Sequence, residues 1–309
     1  MKFFALVFLA VFSVSFSFAQ HISRPDEKLL IQKEDSLKQH ANKIIQGINP
    51  SDRFRADSNF TRIFVRALAT KNSFYYPFDS LETISKLYAP DSLFRIFTWQ
   101  MVINENVIRQ HGAIQMKTAD GSLKLFSLID KSDVTEDMAD SIGNNWGWMG
   151  AVYYKIILTQ NPGGHRYYTL LGYDENNIRS SKKVVEVLDF VDGKPLFGGH
   201  YFSIAGNSLI VKNPARYIME FKKDASPRLT FDEGLGMIVM EHLVSESNEP
   251  NKKWTLIPDG DYEGLKWTNG RWVYISKIFN QVTPEGQAPV PSPLNESKLN
   301  TGSEPGKKP

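Results

Sequence analysis

The chain has 309 residues, 41% of them hydrophobic and 23% charged, with a formal net charge of +2 and no cysteine. That balance belongs to a globular protein long enough for a substantial core, and it excludes a disulfide framework, a thiolate metal site and a cysteine nucleophile. No basic stripe stands out, which argues against a nucleic-acid partner.

At the start, Met1-Lys2 precede an apolar run from Phe3 to Ala19 broken only by three serines, and Gln20-His21 come next. A basic start, a short hydrophobic stretch and a small residue before a polar one form the pattern of a cleavable secretory signal. Residues 1–19 are expected to be removed, which leaves 290 residues and a net charge of +1. A retained anchor would need about 20 apolar residues, and a lipoprotein would need a cysteine. No second apolar run is long enough to span a membrane. The expected location is the periplasm or the medium.

From Pro25 to Ile45 the residues Leu29, Leu30, Leu37, Ala41, Ile44 and Ile45 recur at helical spacing, and Gly47 is placed to stop the helix. A second helical pattern runs from Asp52 through Phe60, Ile63, Phe64, Ala67 and Leu68. A third, short helix is expected at Asp79, where Glu82 completes a capping-box-like pair and Leu81, Ile84 and Leu87 would form the buried face.

After Pro90 the texture changes. Phe94-Arg95-Ile96-Phe97-Thr98-Trp99 and Ala113-Ile114-Gln115-Met116 are rich in β-branched and aromatic residues. Turn signals punctuate the chain from there on: Asp120-Gly121, Asn161-Pro162-Gly163-Gly164, Asn176-Asn177, Asp192-Gly193 and Asn269-Gly270. Short turns join antiparallel neighbours, because parallel pairs need long crossovers. The expected fold is α+β: a helical region over residues 20–90, then a mostly antiparallel meander of roughly ten strands over residues 91–280. Open sheet, sandwich, barrel and partial propeller all satisfy the pattern, although no fixed repeat favours a regular propeller. Residues 281–309 hold six prolines and no aromatic residue, the composition of a disordered tail.

Several segments resemble a family of uncharacterised secreted proteins of Bacteroidetes-type bacteria. They are Tyr76-Pro77-Phe78-Asp79-Ser80-Leu81, Phe94 to Gln100, Tyr167 to Asp174 and Lys182 to Leu188. The resemblance spans roughly residues 51–277 and brings no activity with it. It does imply glycan attachment at Asp-Ser before an aliphatic residue, a sequence found at Asp35-Ser36, Asp79-Ser80, Asp91-Ser92 and Asp140-Ser141. Asp-Ser also commonly opens helices, so capping competes with that explanation.

Motifs for chemistry are sparse. Histidines stand at 21, 40, 111, 165, 200 and 242 without His-x-His or His-Glu-x-x-His spacing, so no metal site is expected. His165 and His200 lie near turns and could meet in space. Gly-x-Ser-x-Gly and phosphate-cradling glycine loops are absent, and no cofactor is expected. Asp259-Gly260-Asp261 lacks the further oxygen ligands of a calcium loop and reads as a tight turn. A glycosidase needs only two carboxylates about 5 to 10 Å apart, and Asp130, Asp174, Glu186, Asp189 and Glu220 all sit in or beside strands.

The most distinctive local feature is Asn144-Asn145-Trp146-Gly147-Trp148-Met149-Gly150, with Tyr153 close behind. Aromatic faces among amides suit a sugar or peptide. The expected ligand-binding residues are Trp146, Trp148, Tyr153, Tyr173 and Asp174, and the competing account packs the tryptophans as core beneath a loop. The leading expectation is a non-catalytic exported protein binding an envelope or extracellular ligand. A hydrolase of glycans or another envelope polymer comes next, and a structural envelope component third. The oligomeric state is left open.

Overall fold

A computed structural model describes residues 21–104, 106–205 and 213–279. The expected signal and the expected tail lie outside the described residues. Helix α1, Arg24–Gln46, begins where the Ser23 hydroxyl accepts from the Asp26 N–H at 3.3 Å, with a proline in its first turn. Gly47 ends it for a steric reason: a Cβ there would lie 2.6 Å from the Lys43 carbonyl oxygen. Pro50 then opens α2, Pro50–Leu68. No helix among the described residues is long and apolar enough to cross a membrane.

The expected third helix is not formed. Residues 79–84 form two turns and a bend, and Ser85–Tyr88 pair antiparallel with residues 95–98 as a strand, β1. Tertiary bonds outcompete the local capping signal here. The Ser80 N–H donates to Glu34 of α1 at 2.8 Å, and the Tyr76 hydroxyl donates to the other oxygen of the same carboxylate. Arg95 fastens the segment from the strand side. It is 1% exposed and donates to the Ser73 and Tyr76 carbonyls and to Gln115, while the rings of Phe74, Phe78, Tyr88 and Phe97 surround it at 4.7–5.7 Å. Each such cation–ring contact is worth about 0.5 to 2 kcal/mol. Burial nonetheless pulls its guanidinium down to about 10, with Tyr88 opposing.

In chain order the strands after β1 are β2 (Phe94–Asn104), β3 (Val107–Met116), β4 (Lys124–Ile129), β5 (Gly143–Asn144), β6 (Val152–Gln160), β7 (Arg166–Asp174) and β8 (Ser180–Val191). They continue as β9 (Lys194–Phe197), β10 (Phe202–Ser203), β11 (Arg216–Lys222), β12 (Leu229–Asp232), β13 (Met237–Ser245), β14 (Leu256–Thr268) and β15 (Arg271–Ile275). The first sheet has the order β1-β2-β3-β4. The middle sheet runs β5-β9-β8-β7-β6, with β11 also paired to β8, and the third runs β10-β15-β14-β13-β12. Among the described residues every pairing of these strands is antiparallel except β10 with β15, an isolated parallel bridge joins Asp130 and Trp148, and no barrel closes. The strands exceed the roughly ten expected because several are two to four residues long.

Side-chain alternation stacks these sheets. In β2, Phe97, Trp99 and Met101 face the helices and join Leu30, Leu37, Phe60 and Phe64 in one core. Phe94 and Ile96 point the other way and meet Tyr153, Tyr168, Leu170 and Leu188 of the middle sheet. The opposite face of that sheet, with Leu171, Val185, Tyr217 and Met219, packs on Ile238, Met240, Leu265 and Trp272 of the third. The order of layers is therefore helices, first sheet, middle sheet, third sheet.

All five turn signals join antiparallel neighbours in the ladder. Asp192-Gly193 and Asn269-Gly270 have positive φ at both positions, 51° and 70° in one and 51° and 83° in the other. That is the geometry whose twist matches a two-residue hairpin, and it is why glycine stands second in each.

Candidate functional site

Glu241 of β13 pairs with Tyr262 of β14, and Leu243 pairs with Pro258. Between those pairs the single residue His242 faces three residues, 259–261, so β14 bulges there, with Gly260 at φ 92°. A bulge bends its strand and re-aims side chains. This one brings the Asp259 carboxylate to 2.8 Å from His242 Nδ1. On the other side of the ring, Nε2 lies 3.7 Å from Glu263 Oε1, and the Tyr274 hydroxyl donates to that same oxygen.

The two carboxyls are pushed in opposite directions. Burial raises Glu263 above the usual glutamate range, and Asp259 adds to the rise, against the pull of Tyr274 and His242. Asp259 also feels burial, but the hydrogen bonds from His242 and from the Asp261 N–H hold it below the usual aspartate range. A carboxylate on Nδ1 fixes the proton there, which leaves Nε2 as the nitrogen turned toward Glu263.

His242 and Glu263 open onto a cleft of about 320 Å³ between the edge of β11 and the strands β13 and β14. That volume lies at the small end of ligand sites. Tyr217, Met219, Leu243 and Leu256 supply apolar wall; Glu136, Glu220, Glu241, Lys182 and Lys253 supply charge. Burial holds the Lys253 ammonium below the ordinary lysine range, with Glu220 opposing. The lining contains one aliphatic hydroxyl, Thr135, and it donates to the Lys131 carbonyl at 2.8 Å. Among the described residues no group of three or more His, Asp or Glu side chains is arranged to hold a metal ion.

The residues expected from sequence fall elsewhere. Trp148 and Tyr153 are both fully buried, joined by a 2.7 Å hydrogen bond from the indole N–H to the phenol oxygen. The phenol in turn donates to Glu186, itself paired with Arg216 at 3.1 Å. Trp148 is a member of the core between the first and middle sheets. Trp146 is 67% exposed at the tip of its turn and does not line the cleft. Tyr173 packs at the rim of the core on the opposite face of the middle sheet and donates to the Ser181 hydroxyl. Asp174 is buried, accepts from Gln110 at 3.0 Å, and is raised by burial above the ordinary aspartate range.

Of the five carboxylates considered, only Glu220 reaches the cleft. Asp130 accepts the N–H groups of Gln110 and Ser132, and Asp189 pairs with His165 at 2.8 Å. His200 bonds the Asn213 carbonyl, so the suggested meeting of His165 and His200 is not among the described contacts. Ser36 and Ser92 of the Asp-Ser pairs are exposed, while Ser80 and Ser141 are half-buried.

Sequence reasoning missed His242, Asp259 and Glu263 as a set. The usable signal was Asp259-Gly260-Asp261 inside an otherwise strand-like run, because an isolated glycine in a strand marks a bulge. Compared with family models, with curated proteins and with solved structures, the chain matches none.

Proposed function

We propose that this is an exported, non-catalytic protein that binds a small polar ligand of the envelope or extracellular space in the cleft beside His242. Export rests on the N-terminal signal pattern. Kinship with secreted proteins of Bacteroidetes-type bacteria rests on segments that fall mainly in β2, β7 and β8. The observation that carries the binding function is the cleft itself, which surrounds an oriented imidazole with side chains of both charge signs. Fixed polar groups on an apolar wall orient a ligand.

A second reading, hydrolysis of a glycan, is favoured by one feature: Asp259 and Glu263 are driven apart in proton affinity on either side of one imidazole. Such divergence is how a site divides acid and base roles. The test is a screen of soluble oligosaccharides and short peptides, followed by amide and imidazole NMR shifts, with product analysis on the same samples. Binding is expected to shift His242 and to leave every ligand intact. Ligand cleavage that disappears in Glu263→Gln would replace the binding function with the hydrolase.

A further inference from the structure

β11 has a side that the middle sheet does not use. Main-chain N–H and C=O groups in an antiparallel pair alternate between the partner strand and the opposite edge. Just beyond the strand, the Lys223 N–H donates to the Arg179 carbonyl at 2.9 Å, continuing the ladder with β8. Residues 217, 219 and 221 therefore bond β8, and residues 216, 218 and 220 face the other way. Arg216 agrees: its N–H donates to the Ala139 carbonyl at 3.0 Å, outside the sheet. Past that contact the chain at 135–139 lines the cleft without pairing, and among the described residues nothing accepts from the N–H of Ile218 or Glu220. A stretch of open strand edge therefore forms one wall of the cleft.

The charge of the lining is unbalanced. Glu136, Glu220, Glu241 and Glu263 face Lys182, Lys253 and Arg216, but Arg216 is already committed to the buried Glu186. The excess is acidic. Met219 of β11 and Leu243 and Leu256 of the third-sheet side line the same cleft as Glu263, a combination of apolar wall and carboxyl that suits the aliphatic stem and cationic head of a lysine or arginine.

We propose that the cleft takes an extended basic peptide segment, added as a strand along β11. Its main chain would bond Ile218 and Glu220, and an alternate Lys or Arg side chain would reach Glu263. This deepens the binding function above and rests on it. Strand addition draws affinity from main-chain bonds and selectivity from pockets for alternate side chains.

The probe is a capped Ser-Lys-Ser-Lys-Ser peptide, titrated by calorimetry and by NMR. Its partner is the same peptide N-methylated at the amides that would face β11. Ile218→Pro removes only an outward N–H, the position at which an edge strand tolerates proline. N-methylation, Ile218→Pro and Glu263→Gln are each expected to weaken binding by about tenfold or more, the loss of a charge-assisted or main-chain bond. The N-methyl arm uses the unaltered protein, so it decides the matter even where the proline variant misfolds. Equal binding of the N-methylated peptide, with His242 still shifted, overturns strand addition and leaves the cleft as a ligand site. Absence of peptide binding at millimolar concentration also overturns strand addition, and the oligosaccharide screen then judges the cleft by itself.

Discussion

Between the first and middle sheets, Glu186, Arg216, Tyr153 and Trp148 form a network whose members are at most 1% exposed. Between the middle and third sheets, His242, Asp259, Glu263 and Tyr274 form another with the same ingredients: acid, base and phenol. The first is buried almost completely, and Arg216, which only borders the cleft wall, donates onward to the Met138 and Ser141 carbonyls. The second opens onto the cleft between β11, β13 and β14, and the bulge in β14 sets Asp259 against His242. The lesson is that a cluster of catalytic-looking side chains carries no function by composition. Access decides.

The comparison is broken most forcefully by Glu186→Ala. It would leave Arg216 charged, buried and unpaired, and is expected to cost about 3 to 5 kcal/mol in denaturant melts. A loss below about 1 kcal/mol would mean that the network is not sealed. Trp148→Ala belongs to the same scale, about 3 to 5 kcal/mol, because a fully buried ring leaves a cavity. Tyr153→Phe keeps the ring but strands the Trp148 indole N–H and the Glu186 oxygen, for about 1 to 3 kcal/mol.

In the open network stability should respond less and pH more. The Glu263 carboxyl titrates above its ordinary value of 4.5 in the folded protein. At pH just above 4.5 the folded state therefore keeps a proton that the unfolded chain has released. That contribution is fully present below the unfolded value and is lost as pH rises through the folded one. Asp259 works in reverse: its share is present above 3.8 and is lost as pH falls through its lowered value. Melts from about pH 4 to 7 should show Glu263→Gln less sensitive to rising pH than the unaltered protein. Parallel profiles for the two would remove Glu263 from the electrostatics of the cleft. The smallest effect belongs to Trp146→Ala, expected within about 0.5 kcal/mol because the ring stands in solvent.

Local sequence determined the elements that local physics controls. The helical period placed α1 and α2, alternation marked the strands, and paired positive-φ turns at Asp192-Gly193 and Asn269-Gly270 identified hairpins whose strands are neighbours. Where a local signal competed with distant partners it failed, as at Asp79, where Glu34 and β2 claimed a segment that spacing assigned to a helix. Alternation says that a strand has two faces, not which layer each face meets. For that reason Trp146 and Trp148, two residues apart in the same motif, ended in solvent and in the core. The three-sheet stack, the closure around Glu186 and the cleft beside His242 were decided only in the tertiary structure. Arg216 lies 30 residues from its partner Glu186, and such pairings depend on chain-distant surfaces being desolvated together, which no local pattern encodes.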